Sequence, residues 1–183
     1  MYSIEIRRGG RTLAGASGER EAALLFRGEY EAGDEIAFHA DGKHAVVQVD
    51  QQVKPARVYL PTGEFVYRLP LAGDGLAVYP PKAFSGEMHL ISIKPDESNE
   101  YRNVAENPAD QRGGVAAYPH ATANVETRNE SGFAARNVID GEHIACGHGE
   151  WPFGSWGIGA RTDARLTLDF GREVEINAMT LYL

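Results

Sequence analysis

The chain is poor in cysteine, since Cys146 is the only one among its 183 residues. A lone cysteine excludes a disulfide within the chain, and such sequences are typical of a reducing compartment. The opening residues, MYSIEIR, lack the apolar core of a signal peptide. No apolar run approaches the roughly 20 residues that a membrane-spanning helix needs. If Met1 is the natural start, we therefore expect a cytoplasmic protein with no membrane partner.

An excess of positive charge is also missing. The 18 Lys and Arg residues are outnumbered by 26 Asp and Glu residues, which gives a formal net charge of −8 at pH 7. Proteins that bind nucleic acids usually present a basic face to the phosphates. We therefore expect no nucleic-acid partner.

Common catalytic motifs are absent from the sequence as well. It contains no glycine loop that could cradle a phosphate, no GxSxG and no HExxH. A glycosidase needs two carboxylates held across a cleft, and Glu126, Glu130 and Glu150 are candidates only because they lie near one another in sequence. We therefore interpret the chain as non-catalytic.

The sequence does contain a series of short alternating runs. Hydrophobic residues make up 43% of the chain, which is enough for a core. Alternation of apolar and polar residues, with turn residues about every ten positions, predicts an all-β sandwich over residues 1–95. Residues 20–26 fit a strand or a helical turn, and Asp41-Gly42 predicts a hairpin. The other predicted strands are residues 3–7, 35–39, 45–49, 57–60, 65–69, 76–79 and 88–93.

The second half of the chain is less regular. Residues 96–114 are polar and rich in Asn, Asp and Pro, which predicts a linker. A strand predicted within residues 118–128 then begins a second domain, residues 115–183. The segment LTLDF at residues 166–170 alternates like a half-buried strand, and a further strand is predicted at residues 174–183.

Three features of this second domain follow one another in a familiar order. They are the stretch AARNVIDG with its Asp140-Gly141 turn, then Ser155-Trp156, and then ARLTLDFG ending in Asp169-Phe170-Gly171. In this order they resemble the discoidin, or F5/8 type C, domain, a galactose-binding-like jelly roll widely used as a carbohydrate-binding module. The resemblance implies a buried Trp156 and a jelly roll of which residues 115–183 are expected to form about half.

A looser resemblance concerns the first domain. Some of its residues are similar to a small β domain that precedes a discoidin-like half in certain bacterial carbohydrate-binding proteins. These residues are Tyr30, Gly33-Asp34, Asp50, Tyr59 and the run at residues 81–87. Together the two resemblances imply a bacterial sugar-binding protein with an N-terminal β domain.

The glycine-rich loop at residues 142–161 is the candidate binding site. Sugars present apolar C–H faces beside hydroxyls, so their sites combine an aromatic platform with planar hydrogen-bonding groups. The candidates are Trp151 and Phe153 for the platform, and His148, Arg161 and His120 for the hydrogen bonds. Alternatives stay open: Trp151 could be the lid of its own loop, Phe153 could pack internally, and His148 could be a surface residue.

Asp140 allows two interpretations. The side chain of an Asp-Gly pair commonly accepts hydrogen bonds from backbone amides and so holds the turn. The discoidin resemblance implies the other, a structural calcium ion with Asn137 or Asp140 among its oxygen ligands, which are the kind that Ca²⁺ prefers. A zinc site at His143, Cys146 and His148 would lack a fourth ligand at a recognisable spacing.

Three functional hypotheses follow. The first is non-catalytic binding of a saccharide through the aromatic, His and Arg residues of the loop. The second is an interaction or self-assembly module, because half a jelly roll leaves strand edges and an apolar face that proteins normally pair or cover. It predicts a homo-oligomer. The third is a glycoside-processing enzyme.

Overall fold

The computed structural model describes residues 1–98, 100–114, 116–143, 151–152 and 154–182. Within these ranges the chain forms ten strands and four short 3₁₀ helices. The architecture is therefore all-β, as the sequence predicts. Among the described residues, no helix has the length and apolar character needed to traverse a membrane.

The strands divide between two regions. The first contains β1 (Tyr2–Arg8), β2 (Arg11–Gly18), β3 (Ala22–Arg27), β4 (Glu35–Ala40), β5 (His44–Gln48), β6 (Ala56–Tyr59), β7 (Glu64–Arg68) and β8 (Met88–Pro95). The second contains β9 (His120–Ala123) and β10 (Leu166–Asp169). The 3₁₀ helices lie at Gly75–Val78, Thr127–Asn129, Ser131–Phe133 and Ala135–Val138.

The first eight strands form two antiparallel sheets of four strands each. The strand orders are β2-β1-β4-β7 and β3-β8-β5-β6. Successive side chains of a strand point to opposite faces, so the alternating apolar residues of each strand lie on one face. These faces pack together in a single cluster that includes Ile4, Phe38 and Tyr67 from one sheet and Val47 and Ile91 from the other. The predicted β-sandwich is confirmed.

The connections between strands differ from the predicted hairpin. Asp41-Gly42 does not close a hairpin, because β4 and β5 belong to different sheets. The turn between β6 and β7 likewise crosses from one sheet to the other. Turn residues specify only that the chain reverses, whereas the packing of apolar faces decides which sheet receives the next strand.

Three further details of the first region were ambiguous or wrong in the sequence prediction. Residues 20–26 contain a strand, β3, rather than a helical turn. The strand predicted at residues 76–79 is wrong, because Gly75–Val78 forms a 3₁₀ helix. Glycine is needed at the start of this helix, since a Cβ on Gly75 would lie only 2.6 Å from the carbonyl oxygen of Pro70. Strand β2 was not predicted, because its residues are small and mostly exposed at a sheet edge.

The second region is built around one short strand pair. Strands β9 and β10 are antiparallel, and they pack with Ala135, Ile139 and Trp156 in a second, small apolar cluster. The half-buried Trp156 donates its indole N–H to the carbonyl of Val125 at 2.7 Å, so its role is structural. The strand predicted at residues 174–183 is wrong for the described residues 174–182, where no strand forms.

Part of the segment predicted as a linker is buried. Within residues 96–114, Asn107 and Asp110 are inaccessible to solvent. The Asn107 side-chain amide donates to the carbonyl of Pro119 at 2.7 Å, and its backbone N–H donates to the carbonyl of Ile139 at 2.7 Å. This segment therefore organises the second region, and the predicted domain boundaries stay a prediction.

Several hydrogen bonds attach the second region to the sandwich. Tyr118 extends the second sheet beyond the edge strand β6: the backbone N–H of Tyr59 donates to Tyr118 at 2.9 Å, and that of Tyr118 donates back at 3.0 Å. The backbone N–H and hydroxyl of Ser131 both donate to the Asp74 carboxylate, at 2.6 and 2.9 Å. The two regions therefore share an interface.

Candidate functional site

A cavity of about 110 Å³ lies at this interface. A single water needs roughly 10–15 Å³ of such volume, so the cavity can hold a small polar ligand. Its walls come from the turn after β5, from the segment around Gly75–Val78 and from the second region. The lining residues that carry chemistry are Lys54, Tyr79, Arg136, Asp140, Glu142 and Trp151.

Arg136 is the most deeply held charge in this cavity. It lies on the 3₁₀ helix Ala135–Val138 and is only 5% exposed. Its Nε–H donates to the carbonyl of Asp110 at 2.8 Å, and Nη2 donates to that of Pro108 at 3.0 Å. Burial opposes its charge, but nearby groups, Tyr79 and Asp140 foremost, outweigh this effect, and the pKa of Arg136 is raised. The guanidinium therefore stays charged.

Asp140 is the matching buried acid. It is 8% exposed, and burial raises the pKa of its carboxyl to about 6, although Arg136 works in the opposite direction. Its Oδ1 accepts the backbone N–H of Glu142 at 2.8 Å, which is the turn-holding role expected of an Asp-Gly pair. Gly141 is required at this turn, since its φ is +83° and a Cβ would lie 2.8 Å from the Glu106 side chain.

A lysine of the sandwich reaches across the interface to this turn. The Lys54 ammonium donates to the carbonyl of Gly141 at 2.9 Å and pairs with the Glu142 carboxylate at 2.8 Å. Lys54 follows β5, whereas Glu142 belongs to the second region. The pair therefore connects the two sides of the cavity, and it leaves neither charge without a counterion.

Trp151 supplies the aromatic surface. The residue is partly buried and lines the cavity. Its backbone N–H donates to the carbonyl of Ala77 at 2.5 Å, which attaches this end of the glycine-rich loop to the sandwich. Of the predicted ligand residues, Trp151 is the one that the structure brings beside Asp140.

The ring of Tyr79 packs against the guanidinium of Arg136. The guanidinium carbon of Arg136 lies 5.0 Å from the centre of the Tyr79 ring, within the range of a cation–π contact. The hydroxyls of Tyr67 and Tyr79 share a buried hydrogen bond of 2.9 Å, and the Phe84 ring packs edge-on against Tyr79. The sandwich core therefore fixes one wall of the cavity.

The remaining predicted ligand residues lie elsewhere. Arg161 is exposed and forms a bidentate ion pair with Asp163, with both hydrogen bonds at 2.6 Å. His120 is buried on β9, where its Nδ1 lies 2.6 Å from the Asp110 carboxylate, a hydrogen bond that raises the pKa of the imidazole. Neither residue lines the cavity. His148 and Phe153 lie outside the described residues.

The contacts of Asn137 and Asp140 do not fit a calcium ion held jointly by the two side chains. The Asn137 amide donates to the carbonyls of Ser131 and Ser155, at 2.8 and 3.3 Å. Its Oδ1 faces the cationic Arg136, with Nη1 at 3.4 Å. Within the part of the chain that the structure describes, no three His, Cys, Asp or Glu side chains are grouped to hold a metal. Calcium binding stays a prediction.

Three residues of the cavity, Arg136, Lys54 and Tyr79, are not among the site residues predicted from the sequence. A signal for Arg136 was available, because it is the one charged residue in the otherwise apolar or uncharged stretch AARNVI, and a charge in such a stretch is buried only with partners. No local pattern could identify Lys54 or Tyr79, since both lie far from Asp140 in sequence and reach the cavity only through the fold.

Comparison of the chain with protein-family models, with curated proteins and with solved structures gives no match. The resemblance to the discoidin domain therefore stays a hypothesis from the sequence, and arguments about function depend on the geometry of the cavity.

Proposed function

We propose that the chain binds a saccharide without transforming it, at the cavity between the sandwich and the second region. The observation that carries the proposal is the presence of Trp151 beside Arg136 and Asp140 in one cavity. An indole offers an apolar surface to the C–H face of a sugar ring, and buried charged groups form strong hydrogen bonds with its hydroxyls. Few convergent polar groups in a concave site are typical of small-ligand binding.

The location of the cavity also supports the proposal. Ligand sites occur preferentially where two parts of a protein meet, and here Lys54 and Tyr79 come from one region while Arg136, Asp140 and Trp151 come from the other. A ligand that contacts both regions binds the folded chain alone and stabilises it by mass action. Binding is therefore expected to raise the melting temperature.

The discoidin resemblance favours the same class of ligand. It implies a galactose-binding-like module of bacterial origin, and it predicts a binding surface in the glycine-rich loop that contains Trp151. The proposed cavity keeps Trp151 from that prediction and replaces Arg161 and His120 by Arg136 and Asp140. The replacement follows from burial and hydrogen bonding, since Arg161 and His120 are committed to Asp163 and Asp110.

Calorimetric titration with a panel of neutral monosaccharides and disaccharides tests the proposal. We expect weak, enthalpically favourable binding that Trp151→Ala reduces by about tenfold or more, because the apolar platform is lost. Tyr101→Ala is the matched control, since Tyr101 is an aromatic residue 81% exposed and outside the cavity. Arg161→Gln is also expected to bind normally. If no saccharide binds the wild-type chain, the proposal is wrong.

The non-catalytic part of the proposal has its own test. The chain is expected to release no product from chromogenic glycosides over long incubations. Turnover that is abolished by Asp140→Asn or Glu142→Gln would replace the binding function with a glycosidase, because these are the two acids that line the cavity among the described residues.

A second candidate function is self-assembly. The observation that favours it is the exposure of apolar side chains near the end of the described chain, where Ile176, Met179, Leu181 and Tyr182 are all more than half exposed. Large apolar side chains exposed close together in sequence can form an interface with another chain. Light scattering on the wild type and on Ile176→Ser/Met179→Ser tests it: an oligomer that the double variant dissociates supports self-assembly, and a monomer at all concentrations rejects it.

A further inference from the structure

The charges that line the cavity are balanced. Among the described residues, two cations, Lys54 and Arg136, and two acids, Asp140 and Glu142, line the cavity. Lys54 is neutralised by Glu142 at 2.8 Å, and Arg136 lies among backbone carbonyls with Asp140 as its electrostatic neighbour. The net charge of the described side chains that line the cavity is therefore zero when all four groups are ionised.

Resting on the proposed function, we infer that the cavity selects neutral saccharides with adjacent hydroxyl groups and rejects saccharides that carry a carboxylate. Asp140 and Arg136 are the two groups that bind the adjacent hydroxyls. In the Lys54–Glu142 ion pair, Glu142 neutralises Lys54, so that this lysine does not attract the carboxylate of an acidic sugar.

The first support is a gap between two charges. Arg136 and Asp140 influence each other's pKa electrostatically, yet no hydrogen bond or ion pair joins these two described residues. A pair of ligand hydroxyls can occupy such a gap, because a hydroxyl both donates and accepts hydrogen bonds. One hydroxyl donates to the carboxylate and its neighbour accepts from the guanidinium.

The second support is the capacity that each group retains. A guanidinium has five N–H donors, and the described residues accept three bonds from Arg136, at Asp110, Pro108 and Asn137. Asp140 uses Oδ1 for the backbone N–H of Glu142, and no hydrogen bond from a described residue reaches its Oδ2. Both groups are at least nine-tenths buried. With respect to the described residues, Arg136 therefore keeps an unused donor and Asp140 an unused acceptor.

The rejection of acidic sugars follows from the cost of burying charge. A carboxylate on the ligand would add a third negative charge to a cavity in which Asp140 and Glu142 already balance Lys54 and Arg136 among the described residues. Burying a charge without a partner is strongly unfavourable, and like-charge contacts are a common means of discrimination between ligands. A neutral sugar avoids this cost.

Calorimetric titration of the full chain with matched sugars tests the inference. The probes are the methyl glycosides of glucose, galactose and mannose, and the methyl glycosides of glucuronic and galacturonic acid. We expect a neutral sugar to bind about tenfold or more tightly than the uronate of the same ring stereochemistry. Equal or tighter binding of the uronate overturns the inference while leaving saccharide binding intact. Failure of every sugar to bind instead removes the proposed function, and the inference with it.

Two variants locate the selection in the cavity. Glu142→Gln removes the counterion of Lys54, so the ratio of uronate affinity to neutral-sugar affinity is expected to rise by about tenfold. Glu130→Gln is the control, because Glu130 pairs with Arg128 and does not line the cavity. Asp140→Asn is expected to weaken the binding of neutral sugars while its circular dichroism spectrum stays unchanged. Asp163→Asn is the control and is expected to bind neutral sugars normally. Unaltered selectivity in Glu142→Gln, or unaltered affinity in folded Asp140→Asn, overturns the assignment of these residues.

Discussion

The two regions of the molecule are stabilised in different ways. In the sandwich, nearly every strand buries alternate side chains in one continuous apolar cluster. In the second region, the described residues form one strand pair and three 3₁₀ helices around a small apolar cluster, and a buried polar centre lies beside it. That centre contains Asn107, Asp110, His120 and Arg136.

Because of this difference, the two regions tolerate different kinds of amino-acid substitution. Apolar burial is non-directional, so a core accepts substitutions that conserve volume. A buried polar network is directional, and removal of one partner leaves the others desolvated and unpaired. The sandwich therefore tolerates substitutions that conserve volume, whereas the second region, which supplies Arg136, Asp140 and Glu142 to the cavity, depends on particular donors and acceptors.

The largest effect is expected in the sandwich core. Phe38→Ala is expected to lower the free energy of unfolding by about 3–5 kcal/mol, because Phe38 is 2% exposed and stacks on Phe65 at 4.8 Å. Urea denaturation should detect it as loss of the whole fold in one transition. Leu25→Ala on β3, half exposed, is the control and should change stability by about 0.5 kcal/mol or less. Equal effects would contradict the assigned core.

The next effect separates the two regions. Arg136→Met is expected to cost about 2–4 kcal/mol, since the carbonyls of Asp110 and Pro108 lose their buried donor. Hydrogen exchange should increase in β9, β10 and residues 105–142 before it increases in the sandwich. Arg161→Met removes only an exposed ion pair and should leave exchange unchanged. Uniform loss of protection in both regions would mean that they do not differ in this way.

A smaller effect is expected from the acid in the cavity. The pKa of Asp140 is raised in the fold from 3.8 to about 6, so the unfolded chain loses this proton first as pH rises. Stability from this group is therefore greatest below pH 4, falls between pH 4 and 6, and is level above that range. At pH 7 the cost is about 2–3 kcal/mol.

Asp140→Asn removes this titration and keeps an oxygen acceptor for the N–H of Glu142. The difference in unfolding free energy between variant and wild type is expected to favour the variant increasingly from pH 4 to pH 7. Other titrating groups, His120 included, cancel in this difference. A pH-independent difference would show that Asp140 ionises in the fold as it does in water.

The smallest effect concerns calcium. Because Asn137 and Asp140 are engaged in hydrogen bonds beside a buried guanidinium, millimolar calcium is expected to leave the melting temperature unchanged relative to a chelator-treated sample. A rise that Asp140→Asn abolishes would establish the calcium site that the discoidin resemblance implies and would require Arg136 to move.

Sequence patterns predicted the sandwich because its strands follow a simple period. Alternation located six of its eight strands and left β3 ambiguous, since alternation reports which side chains are buried. It missed β2, whose small residues lie at an edge, and it could not say which sheet each strand joins. That choice depends on contacts between residues distant in sequence.

The cavity was predicted less well for a related reason. Trp151 and Asp140 were identified because aromatic and Asp-Gly residues have local meaning. The Arg136 side chain is held at the cavity by hydrogen bonds to the carbonyls of Pro108 and Asp110. The Lys54 side chain is held by a hydrogen bond to the carbonyl of Gly141. These are long-range hydrogen bonds, which leave no periodic signature in the sequence.

The pairing of Tyr118 with Tyr59 has a consequence for handling the molecule in pieces. Residues 1–95 alone would leave the backbone groups of β6 without this neighbour, and an open strand edge is a template for another chain. Cutting the protein at the polar segment after β8 should therefore yield a fragment prone to aggregate. The second region thus covers this edge of the sandwich, in addition to supplying Arg136, Asp140 and Glu142 to the cavity.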